Sequence, residues 1–277
     1  MTGNWNAIAR EAGLAAEHLA VGVTALGKAN YAFPAYYSQA FFALSVGLER
    51  SCKLALIVQH AISNNGVFPP ESTVRSYRHD LGMLLLQCDA LRITNAYATP
   101  ALPVGPIHQA IIEILSSFAS NVTRYYNIDF LTKGPAGVHA DEPMRQWQLR
   151  VVNPILRDFC SPKQIQAVRT RADVISALIG NHTMVRHTSE DGSPLETVAD
   201  ASTQTGLTHL TTPFVRLHVL RIARFVAELL GELGTQSQAK RIEDVPYLSE
   251  FYMIFMADDA YFKSRKVWST YPKHPAS

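Results

Sequence analysis

Apolar residues recur at helical spacing along most of the chain, and no segment keeps the strict alternation typical of a β-strand. Between residues 41 and 57, for example, Leu44, Leu48, Cys52 and Ala55 form one apolar stripe beside a charged face. Segments rich in Gly, Pro and Asn separate these periodic stretches. The pattern therefore predicts an all-α protein.

The breaks and the capping residues predict where individual helices begin and end. In the first half of the chain we expect helices over residues 4–30, 35–63, 72–95 and 106–131. In the second half, the expected helix starts are Asp141, Ser161–Pro162, Ser193–Pro194 and Thr212–Pro213, and the last helix should cover 244–268. Pro154 should end or kink the helix that contains Trp147, because proline cannot donate a backbone hydrogen bond.

The segment 133–139, Lys-Gly-Pro-Ala-Gly-Val-His, has the composition of a linker between domains. A chain of 277 residues is long enough for one large or two modest domains, each with a substantial core. We therefore expect a helical bundle over residues 1–132 and a helical C-terminal extension over residues 140–277. The two parts can also pack together as one body.

Charged residues are concentrated in the second and third predicted helices. Glu49 and Lys53 are four residues apart, so they share one face of their helix. Arg75 and His79 have the same spacing in the next helix, and Asp80 follows directly. Two antiparallel helices would bring these side chains to one seam, which is the best candidate for a functional site.

The two helices resemble the HEPN superfamily, through Glu49-Arg-Ser-Cys-Lys53 in the first and His79-Asp-Leu81, followed by a Leu-rich stretch, in the second. The resemblance covers residues 32–130. It implies an up-and-down four-helix bundle that often dimerises, and a nucleotide- or RNA-binding component of a prokaryotic defence or toxin–antitoxin system. Some members are metal-independent endoribonucleases with an Arg-x4–6-His motif. The nearest spacing here is Arg75 with three residues before His79.

Two sets of side chains are candidates for the chemistry of the seam. If it cleaved RNA, His79 would exchange a proton with the 2′-hydroxyl or the leaving oxygen, and Arg75 or Arg78 would stabilise the phosphorane charge. Residues expected to contact a ligand are Glu49, Lys53, Asp80, Arg124 and Tyr125. The aromatic side chain beside Arg124 could stack on a base, although such residues also close the end of a core.

The net charge and the motifs of the chain argue against general polyanion binding and against metal or cofactor sites. The formal net charge of +2 gives no general attraction to polyanions, so contact with nucleic acid would need a local basic patch. Ten His residues are present, but no His-Glu-x-x-His, Glu-x-x-His or Cys-x-x-Cys motif occurs, nor a Gly-rich phosphate loop. We expect neither a metal nor a cofactor.

The number of cysteines and the hydropathy of the chain predict the cellular compartment of the protein. Three Cys residues lie far apart in apolar surroundings, which predicts buried, reduced thiols. We expect no secretory signal, because the first residues have neither a basic region nor an apolar core, and no apolar run reaches the roughly 18 residues that a membrane helix needs. We therefore expect a cytoplasmic protein without membrane contact.

Three functions stay open at this stage. The first is binding of RNA or a nucleotide, with a second copy or another protein as partner. The second is a divergent metal-independent endoribonuclease with His79 at its centre. The third is a protein-interaction scaffold that uses the basic face of residues 144–171 or the aromatic C-terminal helix.

Overall fold

The computed structural model describes residues 2–120, 122–134 and 142–270, and most of these residues are helical. The helices of the first half are α1 (Gly3–Leu26), α2 (Ala35–Ser63), α3 (Glu71–Ser76), α4 (Leu81–Thr94), α5 (Pro106–Ala119) and α6 (Tyr126–Lys133). The second half contains α7 (Pro143–Trp147), α8 (Asn153–Phe159), α9 (Pro162–Ile179), α10 (Val198–Ala239), α11 (Ser249–Tyr252) and α12 (Asp259–Ser264). In the described residues, strand structure is confined to an antiparallel ribbon of β1 (His187–Thr188) and β2 (Pro194–Leu195). The predicted all-α class is confirmed.

Helix α2 lies at the centre of the molecule and packs against α1, α4, α5 and α10. The predicted stripe of Leu44, Leu48, Cys52 and Ala55 is buried, because neighbouring helices cover this helix on several sides. Burial of such a stripe is the main favourable contribution to folding. Because α2 is packed in this way, its backbone is fixed, and so are the positions of the residues on its exposed face.

Two glycines allow α1 and α2 to approach closely. A Cβ atom at Gly22 would lie 2.9 Å from the backbone nitrogen of Leu44, and one at Gly47 would lie 2.9 Å from that of Leu19. These distances are too short for a side chain, so the contact requires glycine at both positions.

The second half of the chain packs onto the same core. The ring of Trp147 lies 4.9 Å from that of Phe41 on α2, and the hydroxyl groups of Tyr252 and Ser51 are 3.0 Å apart. Residues from both sides of the predicted linker contribute to one buried cluster. Most of that linker, residues 135–139, lies outside the described part of the chain.

The expected helix over residues 72–95 was wrong, because it is divided into α3 and α4. The chain leaves the helical conformation after Tyr77, and Arg78 has a positive φ of 53°. Asp80 then caps α4 by accepting a hydrogen bond from the backbone N–H of Met83. Since this cap is placed inside the predicted helix, Arg75 and His79 do not share a helical face.

Two further helices are shorter than expected. The helix predicted over 106–131 ends at Ala119, so α6 is separate from α5. The segment 244–268 contains α11, a short 3-10 turn and α12 instead of one helix. Asp258 starts α12 by accepting from the backbone N–H of Tyr261, which sets a helix start inside the predicted element.

Helix α10 covers the region where two separate helices were expected to begin, at Ser193–Pro194 and at Thr212–Pro213. Pro194 belongs to β2, and the helix begins only at Val198, where Thr197 and Asp200 form a capping box. Pro213 lies inside the helix, where the hydroxyl group of Thr212 donates to the backbone carbonyl of Thr208 at 2.6 Å. Packing of α10 against its neighbours keeps it continuous through the proline, so both predicted starts were wrong.

Other features of the second half agree with the sequence. Ser161 caps α9 in a capping box, as expected. The backbone changes to a π turn over Gln148–Val152 and continues as α8 through Pro154, so the proline does not end the helical segment. Asp141 lies outside the described residues, and Glu142 caps α7.

Within the described ranges, no helix combines the length and the apolar character needed to cross a bilayer.

Candidate functional site

Glu49, on the exposed edge of α2, joins two of the predicted site residues. Its Oε1 atom accepts a hydrogen bond from Nζ of Lys53 at 2.8 Å and lies 2.9 Å from Nδ1 of His79. The side chains of Glu49 and Lys53 are about one-fifth exposed, whereas that of His79 is 74% exposed. We call these three residues the His79 cluster.

The contact with Glu49 defines the orientation of the imidazole. A carboxylate only accepts hydrogen bonds, so the neutral imidazole of His79 has its N–H group at Nδ1, which donates a hydrogen bond to Glu49. No described residue hydrogen-bonds to Nε2, which is open to solvent on an exposed side chain. This arrangement leaves Nε2 able to accept a proton, or to donate one when the ring is charged.

The two arginines of the predicted catalytic set, Arg75 and Arg78, differ in their contacts. Arg75 on α3 pairs with Glu71 at 2.6 Å, and both side chains are 77% exposed. Arg78 is exposed and directly precedes His79, and it has no ion-pair partner among the described residues. Of these two arginines, Arg78 is therefore the one whose guanidinium group is not engaged in an ion pair within the described residues.

Asp80 has a structural role at the start of α4. Its Oδ1 atom accepts from the backbone N–H of Met83 at 3.0 Å and from the hydroxyl group of Ser116 at 3.4 Å. The same hydroxyl accepts from the backbone N–H of Leu81. These bonds fix the loop that presents His79 and occupy Oδ1 of Asp80.

Arg124 and Tyr125 belong to a separate location, in the turn between α5 and α6. The guanidinium group of Arg124 lies over the rings of Phe42 and Phe118, at 5.1 and 5.5 Å from their centroids. Tyr125 is 54% exposed. Phe42 precedes Glu49 by seven residues on α2, so the two locations lie about 10 Å apart along one helix face.

The thiol behind the cluster is unsuited to chemistry at this site. Cys52 is fully buried, and a hydrogen bond with Cys88 together with burial raises its pKa well above the usual value. All three cysteines are free and buried, as the sequence predicted.

Phe42, Phe118 and Ser116 were not identified from the sequence as site residues. Phe42 could have been found, because its spacing of seven places it on the same helix face as Glu49. Phe118 and Ser116 approach from α5, and nothing in the sequence specifies how α5 packs on α2.

No family model, curated protein or solved structure matches this chain.

Proposed function

We propose that the protein binds RNA or a nucleotide, with a phosphate group held at the His79 cluster. The observation that supports this proposal is the shared carboxylate of Glu49, which positions an ammonium group and an imidazole side by side. Both groups are donors that commonly bind phosphate oxygens in proteins. The order of these residues ahead of the Leu-rich α4 also supports assignment to a HEPN-like bundle.

The charges around the cluster favour an anionic ligand. Lys53 balances Glu49, and Arg75 balances Glu71, so these pairs contribute little net charge. Arg78 adds a positive charge that no described carboxylate pairs with, whereas the carboxylate of Asp80 accepts hydrogen bonds from the backbone N–H of Met83 and the hydroxyl group of Ser116. The formal charges of these residues cancel, so the attraction for a phosphate rests on the unpaired guanidinium group of Arg78 and not on a net positive charge.

The substitution Arg78→Asn tests this proposal. Asn tolerates the positive φ of this position, so the fold should be kept while the charge is removed. We expect the affinity for a fluorescently labelled single-stranded RNA, measured by anisotropy, to fall by roughly threefold to tenfold. The slope of affinity against salt concentration should decrease by about 0.7, the value for one phosphate contact on a single strand.

Arg241→Asn is a matched control, because Arg241 is also exposed and has a φ of 58° at the end of α10. This variant should bind RNA as the unmodified protein does. Equal losses in both variants, or an unmodified protein without salt-sensitive RNA binding, would contradict the proposal.

Metal-independent RNA cleavage is a second candidate function, favoured by the bond between Glu49 and Nδ1 of His79. A carboxylate at Nδ1 orients an imidazole so that Nε2 can act as general base or acid. Cleavage of total RNA in the presence of a chelator should then be lost in His79→Ala and reduced in Glu49→Gln. His182→Ala, which changes an exposed His on the loop after α9, is the control. Cleavage that persists in His79→Ala would remove this candidate.

A further inference from the structure

A cavity of about 280 Å³ lies between the first turns of α2 and the turn that joins α5 to α6. Its walls include the aromatic rings of Tyr37, Phe41, Phe118 and Tyr126. No residue of the His79 cluster lines it. Aromatic walls with a few polar groups are typical of sites for small organic ligands.

Arg124 contributes a positive charge to this cavity. Cation–π contacts with the rings of Phe42 and Phe118 favour one position of its guanidinium group. Its Nε atom is buried without a hydrogen-bond partner, and no described carboxylate pairs with the group. A guanidinium that is held rigidly but has unused donors is suited to bind an oxyanion.

Thr123 supplies a second unused donor at the same place. The residue is 6% exposed and lines the cavity, and its hydroxyl group is buried without a hydrogen-bond partner. A buried hydroxyl group without a partner is unfavourable, and it is normally found where a water or ligand completes the bond.

The acidic residue in the cavity wall, Glu142, does not oppose an anion strongly. Its carboxylate accepts from the backbone N–H of Arg145 at the start of α7. Burial raises the pKa of Glu142, which disfavours its charged form.

We infer that this cavity binds a small organic anion in which a phosphate or carboxylate is attached to a planar ring system. The anionic group accepts hydrogen bonds from Arg124 and Thr123, and the ring packs against Phe41 and Tyr126. This site is distinct from the His79 cluster and goes beyond the proposed function.

Isothermal titration calorimetry on the full chain tests the inference. Adenosine 5′-monophosphate is the phosphate probe, anthranilate is the carboxylate probe, and adenosine is the control without an anionic group. We expect at least one of the two anions to bind, and adenosine to bind more weakly. Arg124→Gln should reduce the affinity by about tenfold or more, since a charge-assisted hydrogen bond is lost.

Thr123→Val separates ligand binding from folding. It removes a hydroxyl group that has no partner, so the unliganded variant should melt at or above the temperature of the unmodified protein. Its affinity for the anion should nevertheless fall. Arg169→Gln, on the exposed surface of α9, is the charge-matched control and should bind normally.

Binding that is retained in Arg124→Gln but lost in Arg78→Asn would place the anion at the His79 cluster and overturn the inference, while leaving the proposed function intact. Failure of both probes to bind would also overturn it. Anion binding that depends on Arg124, in a protein that binds neither RNA nor a nucleotide at the His79 cluster, would support the inference and contradict the proposed function.

Discussion

His108 and His218 lie side by side in the interior, and each is less than one-tenth exposed. Nε2 of His108 is 3.1 Å from Nδ1 of His218. Burial is the main cause that lowers the pKa of both residues to about 4, and Arg221 lowers both further. Asp259, which pairs with Arg221, acts in the opposite direction on His218. Both imidazoles are therefore neutral at neutral pH.

This pair predicts a loss of stability in mild acid. An unfolded His has a pKa of about 6.5, so between pH 6.5 and 4 the unfolded chain binds protons that the folded protein does not. The free energy of unfolding should therefore fall by about 2 kcal/mol per imidazole between pH 7 and pH 5. Urea unfolding at both pH values measures this change.

His218→Gln should show a smaller decrease between pH 7 and pH 5 than the unmodified protein. His182→Gln, at an exposed position, should keep the full decrease. If the three proteins lost the same free energy, the buried pair would not be its source.

Spacing along α2 was sufficient to predict one contact of the site. Glu49 and Lys53 form the expected pair because positions four apart on a helix are neighbours. The contact between Glu49 and His79 could not be derived in this way, since it depends on the path of the chain between α3 and α4. The stacking of Arg124 on Phe42 joins distant positions and has no local signal in the sequence.

At the scale of elements, the antiparallel pair of α1 and α2 depends on Gly22 and Gly47. The nearest neighbours of a Cβ atom at Gly47 would be atoms of Leu19 at 2.9 Å, including its backbone nitrogen. A methyl group there would push the two helices apart. The two helices would lose packing on both sides of the contact.

Gly47→Ala should therefore lower the free energy of unfolding by about 1–3 kcal/mol, despite the higher helix propensity of Ala. Gly13→Ala is the matched control in α1, where the Cβ atom would meet only Phe251 at 3.9 Å. This second variant should gain about 0.5–1 kcal/mol. Chemical denaturation measures both, and a stabilised Gly47→Ala would show that the helices are not in close contact.

Long periodic elements were easier to predict than their ends. Helices α1 and α2 were found close to their expected bounds, because apolar spacing and flanking breaks agree there. Asp80 was predicted to lie inside a helix, because a capping residue within an apolar helical pattern resembles a helical residue. Pro213 caused the opposite error: it predicted the start of a helix, but packing keeps α10 continuous through this proline.

At the scale of the whole molecule, the second half of the chain covers α2. Tyr252 contacts Ser51 in the interior, and Nζ of Lys240 donates to the backbone carbonyl of Ile62. Without these elements, part of the apolar surface of α2 would be exposed to water. The buried core around α2 is thus completed by residues far along the chain.

A fragment of residues 1–132 should accordingly fail to unfold cooperatively, whereas the full chain should show one transition. Circular dichroism during thermal unfolding, with near-ultraviolet detection of tertiary packing, measures the difference. A cooperative transition in the fragment would show that residues 1–132 form an independent domain.

Photochemical crosslinking tests RNA contact at the His79 cluster most directly. The full chain would be irradiated with single-stranded RNA that contains 4-thiouridine, and the crosslinked peptides identified by mass spectrometry. We predict crosslinks in residues 49–53 and 77–80 that decrease in Arg78→Asn. Crosslinks confined to the basic residues 144–171, unchanged by that substitution, would contradict RNA contact at the His79 cluster.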